Sequence, residues 1–308
     1  MAFTAKDVQK LREMTGVGMM DCKKALTEAD GDFDRAIEWL REKGLAAQTK
    51  KAGKVAAEGV SYAITADNGV GVVIEVNSQT DFVAKNEVFQ DFVKQLAAVV
   101  ASENPADVEA LKACKYPGTD RTVAEVTADK VLSIGENIQI RRFVRYADGV
   151  NIPYIHMGGK VGVLVNLSVE GIAPEKVVEL GKDIAMQICA MNPTYLDKSD
   201  VDQSTLDKEK EILMIQAKED PKNAGKPENI IEKMVMGRIG KYYEENCLLQ
   251  QAFVKENKTS VEKHIAEVAS QLGGKVVVKA FTRFATGEGI EKAEDDFASE
   301  VAKMSGNQ

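Results

Sequence analysis

Ile138-Gln-Ile-Arg-Arg-Phe-Val-Arg-Tyr-Ala-Asp-Gly149 and Val276-Val-Val-Lys-Ala-Phe-Thr-Arg-Phe-Ala-Thr-Gly287 are two versions of one segment, with Phe143 matching Phe281 and Arg145 matching Arg283. Both are β-branched and aromatic-rich runs closed by a glycine, which is the pattern of a strand. A second pair lies upstream. Val70-Gly-Val-Val-Ile-Glu-Val76 matches Val161-Gly-Val-Leu-Val-Asn-Leu167 at an offset of 161 − 70 = 91. Helical matches follow each of these strands. Leu96-Ala97 aligns with Ile184-Ala185, and Asn104-Pro105 with Asn192-Pro193, at an offset of 193 − 105 = 88. The chain therefore carries two homologous halves in tandem, each with a strand pair, helices and a returning strand. Helices on one face of a mostly antiparallel sheet, an α+β class, is the architecture this order predicts.

The offsets expose two asymmetries. Between strand and helix the first copy has 91 − 88 = 3 extra residues, within Asn77-Ser-Gln-Thr-Asp-Phe-Val-Ala-Lys-Asn86. The returning strands are 276 − 138 = 138 apart, so the second copy has 138 − 88 = 50 extra residues after its first helix. That insertion is charged and helical. Leu206 and Leu213 are a heptad apart, Ile231, Val235 and Ile239 recur at every fourth position, and Pro221 to Pro227 makes a turn. It reads as a protruding hairpin that buries its stripe on itself or on a second subunit.

Ahead of the repeat, about 45 residues read as three short helices. Thr4 and Asp7 form a capping box before Val8 and Leu11. Thr15-Gly16-Val17-Gly18 ends the first helix, Met19, Cys22 and Leu26 share a face of the second, and Gly31 breaks it. Asp32 caps a third helix with Phe33, Ile37 and Leu40 on one face, which Gly44 is expected to close. Lys50-Lys-Ala-Gly-Lys54 then reads as a solvated basic linker. The expected divisions are 1–54 for the helical module and linker, 55–147 for the first core subdomain, and 148–196 with 229–286 for the second. Residues 197–228 form the inserted hairpin, and 287–308 a terminal module.

Composition narrows the function. The 308 residues are 44% hydrophobic and 29% charged, with a net charge of 40 − 48 = −8. An acidic chain is poorly suited to sequence-blind nucleic-acid binding, which needs cations to replace counterions on phosphates. It is equally poorly suited to anionic lipid, so neither nucleic acid nor membrane is an expected partner. Cys22, Cys114, Cys189 and Cys247 form no Cys-x-x-Cys pair and read as reduced thiols. The N-terminus lacks a signal-peptide pattern and no apolar run approaches the ~20 residues of a membrane span. A soluble cytoplasmic protein is expected. No phosphate-binding Gly-x-x-x-x-Gly-Lys loop, dinucleotide fingerprint or nucleophile elbow occurs. Asp295-Asp296 reads as a solvated pair on a charged helix. No bond-making catalysis, no cofactor and no metal are expected.

One corner stands out. Thr80-Asp81-Phe82-Val83-Ala84-Lys85 puts a large aromatic in the turn between a strand and the next helix. Thr80 or Asp81 can cap a short helical turn there. Phe82 either packs back as a staple or is presented outward as a wedge for a partner's pocket.

The same residues carry a resemblance. Thr80-Asp-Phe-Val-Ala-Lys85, Thr15-Gly-Val-Gly-Met-Met-Asp-Cys-Lys-Lys-Ala-Leu-Thr-Glu-Ala29, Ile134-Gly-Glu-Asn-Ile-Gln-Ile-Arg-Arg142, Gly287-Glu-Gly-Ile-Glu-Lys292 and Asp296-Phe-Ala-Ser-Glu-Val301 resemble the bacterial translation elongation factor Ts family, over essentially the whole chain. That family is the guanine-nucleotide exchange factor for elongation factor Tu. The resemblance implies a first module like a ubiquitin-associated domain, two repeated subdomains, a hairpin used in dimerisation and a C-terminal helical module. It implies that Thr80, Asp81, Phe82 and Val83 act at the partner's nucleotide domain, with Phe82 disturbing the magnesium ion and the phosphate-binding loop. It places Leu11, Met19 and Met20 on a partner helix and Ile134 and Gly135 beside the wedge. Tyr154 and His156 fall where the second subdomain meets another partner domain. The partner is expected in GDP-bound and nucleotide-free forms. The sequence departs from the family pattern mainly in Ala147–Met157 and in the hairpin. Two other classes compete on the residues: an enzyme using acidic side chains, and a partner-binding adaptor or chaperone-like module without exchange activity.

Overall fold

The computed structural model describes residues 3–291. Its first element, α1 (Ala5–Thr15), starts at the Thr4–Asp7 capping box and stops at Gly16, whose φ of 68° is left-handed. After it come α2 (Met19–Glu28) and α3 (Phe33–Lys51), the latter capped by Asp32, which accepts the Arg35 N–H at 2.9 Å. Val8, Leu11, Cys22, Leu26, Ala36 and Leu40 form the module's core. Trp39 packs partly buried against it, with the Lys43 ammonium 5.1 Å above its ring.

The third helix does not close at Gly44. It runs on to Lys51, and Gly44 is buried within it. A Cβ at Gly44 would lie 3.3 Å from the Ala128 carbonyl, so this glycine permits a close helix–helix crossing rather than ending a helix. Lys50 and Lys51, expected in a linker, occupy the last helical turn, where cations complement the helix C-terminus.

The first core unit follows as β1 (Glu58–Thr65), β2 (Gly71–Ser78), the one-turn helix α4 (Asp81–Ala84), α5 (Glu87–Glu103), α6 (Val108–Ala113), α7 (Val123–Ile134) and β3 (Gln139–Tyr146). The second contains β4 (Val150–His156), β5 (Val161–Glu170) and α8 (Val178–Met191), then α9 (Gln203–Glu219) and α10 (Glu228–Asn246). Strands β6 (Ala252–Phe253) and β7 (Glu256–Ser260), helix α11 (Val261–Gln271) and strand β8 (Lys275–Ala285) complete it. The main sheets are antiparallel, ordered β1-β2-β3 and β4-β5-β8. The chain is thus a mixed α+β protein, as the sequence implies.

The repeat holds at the level of register. Ile74 pairs with Phe143 and Val165 with Phe281; Val72 pairs with Arg145 and Val163 with Arg283. Both central strands shift register at the equivalent place, after Glu75 in one and after Asn166 in the other. Both long helices end on an asparagine in the left-handed region, Asn104 (φ 50°) and Asn192 (φ 45°), before a proline.

Helices cover one face of each sheet. Val72, Ile74 and Val76 pack on Phe89, Phe92 and Leu96, while Val163, Val165 and Leu167 pack on Ile184, Ile188 and Ile265. The other faces meet each other through Ala63, Val73, Leu164 and Phe284, so β2 is buried along its whole length. The approach is close. A Cβ on Gly71 would sit 2.7 Å from Asn151 Cβ, and one on Gly162 would sit 2.9 Å from the Ser61 carbonyl oxygen.

Glu75 is fully buried in this seam. Its carboxylate accepts from Arg141 (2.9 Å), Arg142 (2.6 Å), Asn77 (3.1 Å) and the Gly287 N–H (2.7 Å). Burial alone would raise its pKa, but the donors from Gly287, Arg141, Arg142 and Asn77 together hold it below the ordinary glutamate value. The ion pairs draw on β3 and the amide on the segment after β8, so this one side chain ties the two halves together.

The insertion forms a helical pair of its own. Ala217, Ile231 and Val235 make one small cluster in it; Leu206, Val201 and Cys247 make another at its base. Its second arm runs from Glu228 to Asn246, residues that the expected division assigns from 229 onward to the second core subdomain. The arm enters and leaves at adjacent points, because the Thr194 and Tyr195 N–H groups donate to the Asn246 carbonyl and the Leu248 N–H donates to that of Tyr195. The terminal module expected at 287–308 lies, beyond residue 291, outside the described residues, as do Asp295-Asp296 and Asp296–Val301.

Candidate functional site

The three-residue excess of the first copy folds into α4. Thr80 is its N-cap: extended at φ −121°, its hydroxyl accepts the Val83 N–H at 3.4 Å. The turn is clamped on all sides. The buried Ser78 hydroxyl donates to the Thr80 carbonyl (3.0 Å), the Asn86 N–H to the Val83 carbonyl (3.0 Å), and the Gln90 amide to the Ala84 carbonyl (3.2 Å). Ala84 is buried. Phe82 is 81% exposed, the highest among the described large apolar side chains that stand out in solvent. Of the two readings for this ring, staple or outward presentation, the structure takes the second.

Asp81 pairs with Lys85 one turn on, at 2.7 Å. That bond keeps the carboxyl below its ordinary pKa, so it carries a negative charge at neutral pH. Val83 is half-buried against the core.

A second segment converges on this turn. The Glu136 carboxylate accepts the Gln79 N–H (3.0 Å), the Thr80 N–H (3.0 Å) and the Thr80 hydroxyl (2.7 Å). Asn137 donates its N–H to the Gln79 side chain (2.9 Å) and its amide group to the Lys54 carbonyl (2.7 Å). Lys51 reaches the Gly135 carbonyl. Gly135 itself ends α7 at φ 86° and is exposed, while Ile134 is half-buried against the first core. Gly16, Phe82, Val83, Val88 and Ile134 line one shallow cleft, which joins the N-terminal module to the Phe82 turn.

The remaining expected residues fall into two groups. Met20 (66% exposed) and Met19 (44%) open α2 in solvent, where flexible thioethers suit a surface that must bind and release. Leu11 is different. It is fully buried among Val8, Cys22 and Leu26, so it shapes the module from within instead of offering a contact of its own. Its position in the apolar stripe of α1 already fits that role. Tyr154 and His156 lie on the same face of β4, their rings stacked at 6.0 Å with the Tyr154 hydroxyl 3.0 Å from His156 Nδ1. His156 is exposed and is followed by Met157, also exposed, at φ 47°. This pair is not part of the Phe82 cleft.

Glu136 is absent from the expected site residues, although it lies within Ile134–Arg142. No local pattern marks it, since its partners are far away along the chain and only the fold brings them together. The Thr80 hydroxyl, held by the Glu136 carboxylate, is engaged in capping the turn. The site offers an exposed ring on a hydrogen-bonded turn, a negative charge at Asp81 and a flexible apolar patch at Met19 and Met20.

The family described as Elongation factor TS matches residues 79–288. A protein of Clostridium perfringens (strain SM101 / Type A) named Elongation factor Ts is 51% identical over 307 residues, covering 99% of both chains. Those of Syntrophotalea carbinolica and Trichlorobacter lovleyi, likewise named, are 49% and 47% identical, again with 99% of both chains covered. Agreement at about half of all positions from end to end, with the wedge turn inside the matched region, leaves one conclusion: the chain belongs to the elongation factor Ts family.

Proposed function

We propose that this chain is a guanine-nucleotide exchange factor, which binds elongation factor Tu carrying GDP and promotes GDP release so that GTP can bind. The observation that carries the reading is Phe82, an exposed aromatic on a turn hydrogen-bonded at both ends. The backbone that carries the ring is already fixed before it meets a partner, which lowers the cost of insertion. On insertion it displaces the partner's helices, disturbing the magnesium ion and the loop that holds the phosphates. Asp81 and Val83 flank it at the same surface, and Ile134 and Gly135 border it.

An exchange factor works by binding best to the form of its partner that holds nucleotide badly. The coupling is reciprocal: whatever it does to GDP affinity, GDP does to its own. Burying one phenylalanine contributes roughly 1.5–3 kcal/mol. That is too little to release a tightly held nucleotide, so other contacts must help stabilise the open form. The methionine pair Met19-Met20, on a module like a ubiquitin-associated domain, grips a partner helix, and Tyr154 with His156 meets a second partner domain. The inserted arm serves self-association, with Ile212, Ile215 and Met236 exposed on it. The protein works in the cytosol, in keeping with a described chain in which no helix is long and apolar enough to cross a membrane.

The test is release of a fluorescent GDP from purified elongation factor Tu, followed by stopped flow with and without this chain. Acceleration that grows with the chain's concentration and saturates is the expected result. An unchanged release rate, with binding intact, would leave an adaptor and not an exchange factor.

A further inference from the structure

We infer that Glu136 is a positioning residue for the wedge: it holds the Gln79–Thr80 backbone and the Thr80 hydroxyl so that Phe82 is presented in one orientation. The inference rests on the reading of Phe82 as the inserting ring.

The geometry is a relay. One carboxylate oxygen takes two consecutive backbone N–H groups, those of Gln79 and Thr80, both at 3.0 Å. The other takes the Thr80 hydroxyl proton at 2.7 Å. Because that proton points to Glu136, a lone pair of the same oxygen is left for the Val83 N–H at 3.4 Å. Thr80 can therefore cap α4 in only one rotamer. Its carboxylate partner comes from the turn after α7, not from the wedge's own strand or helix. Hydrogen bonds to an ionised acceptor are about twice as strong as neutral ones. Without the carboxylate, two half-buried amides lose their acceptor together and the hydroxyl is free to turn away from the helix. The Glu136 turn is also anchored to the end of the N-terminal module, through Asn137 to Lys54 and Gly135 to Lys51. The ring is thereby held in fixed relation to the module that carries Met19 and Met20.

The second copy has no such device. Its connection runs from β5 directly into Pro174 and α8, and no carboxylate accepts its backbone amides among the described residues.

The experiment compares Glu136→Ala, Glu136→Gln, Phe82→Ala and the Glu136→Ala/Phe82→Ala double variant in full-length chain. It reads the saturating GDP-release rate, the half-saturating concentration, thermal melting, and hydrogen exchange at the Gln79 and Thr80 amides. Glu136→Ala should slow saturating release about tenfold, as loss of charge-assisted bonds predicts. It should deprotect those two amides and leave the rate of the Phe82→Ala background unchanged within about twofold. Glu136→Gln can still accept both N–H groups through its one oxygen while its amide donates to Thr80, so it should recover most of the rate. An unaltered release rate in Glu136→Ala, or an equal slowing with and without Phe82, overturns the inference. So does a Glu136→Gln protein that protects both amides yet releases GDP as slowly as the alanine variant, because holding the Gln79–Thr80 backbone would then not be what sets the rate. If Phe82→Ala itself releases GDP at the full rate, it is the wedge reading that fails, independently of Glu136.

Discussion

The connections after β2 and after β5 occupy the same place in two copies of one design, yet they point in opposite directions. In the second copy β5 passes through Gly171 (φ 76°) and Ile172, which packs on its own core; a Cβ on Gly274 would sit 2.5 Å from Ile172 Cγ1. In the first copy three more residues make an additional helical turn, and the aromatic on it faces solvent. The comparison teaches how a new surface can be added to a stable repeat. The strands, the register and the helix ends stay the same, and the new surface is confined to a short loop.

The seam offers the largest way to break this picture. Glu75 and Asn166 are equivalent positions, so Glu75→Asn gives the first copy the second copy's residue. It leaves Arg141 and Arg142 without their shared carboxylate and should cost about 3 kcal/mol, the low end for a broken buried pair because both arginine side chains are partly exposed. The depressed pKa of Glu75 sets the pH dependence. Its contribution is complete above the ordinary value of 4.5 and is lost as pH falls through the lower folded-state value. Urea denaturation should thus show the wild type and Glu75→Asn far apart at pH 6 to 7 and drawing together as pH falls below 4.5. A gap that stays constant on acidification would assign the loss to packing instead.

Next comes the wedge itself. Phe82→Ala should slow GDP release by about one to two decades with the melting temperature unchanged, because an exposed ring contributes little to the fold. Ile172→Ala is its mirror. It should lower stability by about 1–2 kcal/mol and leave exchange untouched. If both variants affect the same property, the two connections do not differ as described. The smallest effect on exchange is expected from excising the arm between Asp197 and Asn246 and closing the gap with a short linker, which the paired base at Thr194–Tyr195 permits. Release should stay within about twofold, since the arm has small cores separate from that of the second subdomain. Sedimentation should report weaker self-association; an unchanged dimer would place the contact elsewhere.

Much of the fold can be read from the sequence because strand pairing constrains side chains closely. Phe143 and Phe281, or Arg145 and Arg283, keep their identities since each faces an equivalent neighbour across its sheet. The Thr80 cap is legible for the same kind of reason, being a local backbone requirement met by a local side chain. The sheet-on-sheet seam is not legible. Ser61, Glu75, Asn77 and Asn151 are buried there, and polar residues on a strand look like a solvated face until their partners are known. Gly44 misled for a related reason: its small size serves a crossing with Ala128 that lies far along the chain. Leu11 shows the converse, a residue whose helical periodicity fits its buried place better than the partner contact implied by resemblance. Glu136 belongs with the seam residues, since its meaning resides in groups brought to it only by folding.

The lone tryptophan of the chain, Trp39, sits in α3 against the core of the N-terminal module and beneath the Lys43 ammonium. Intrinsic fluorescence excited at the indole band is therefore a spectroscopic label for that module alone. Far-ultraviolet dichroism, in contrast, sums over every helix and strand. Recorded together during titration with denaturant, the two signals separate detachment or melting of the small helical unit from collapse of the double sheet, with no dye attached.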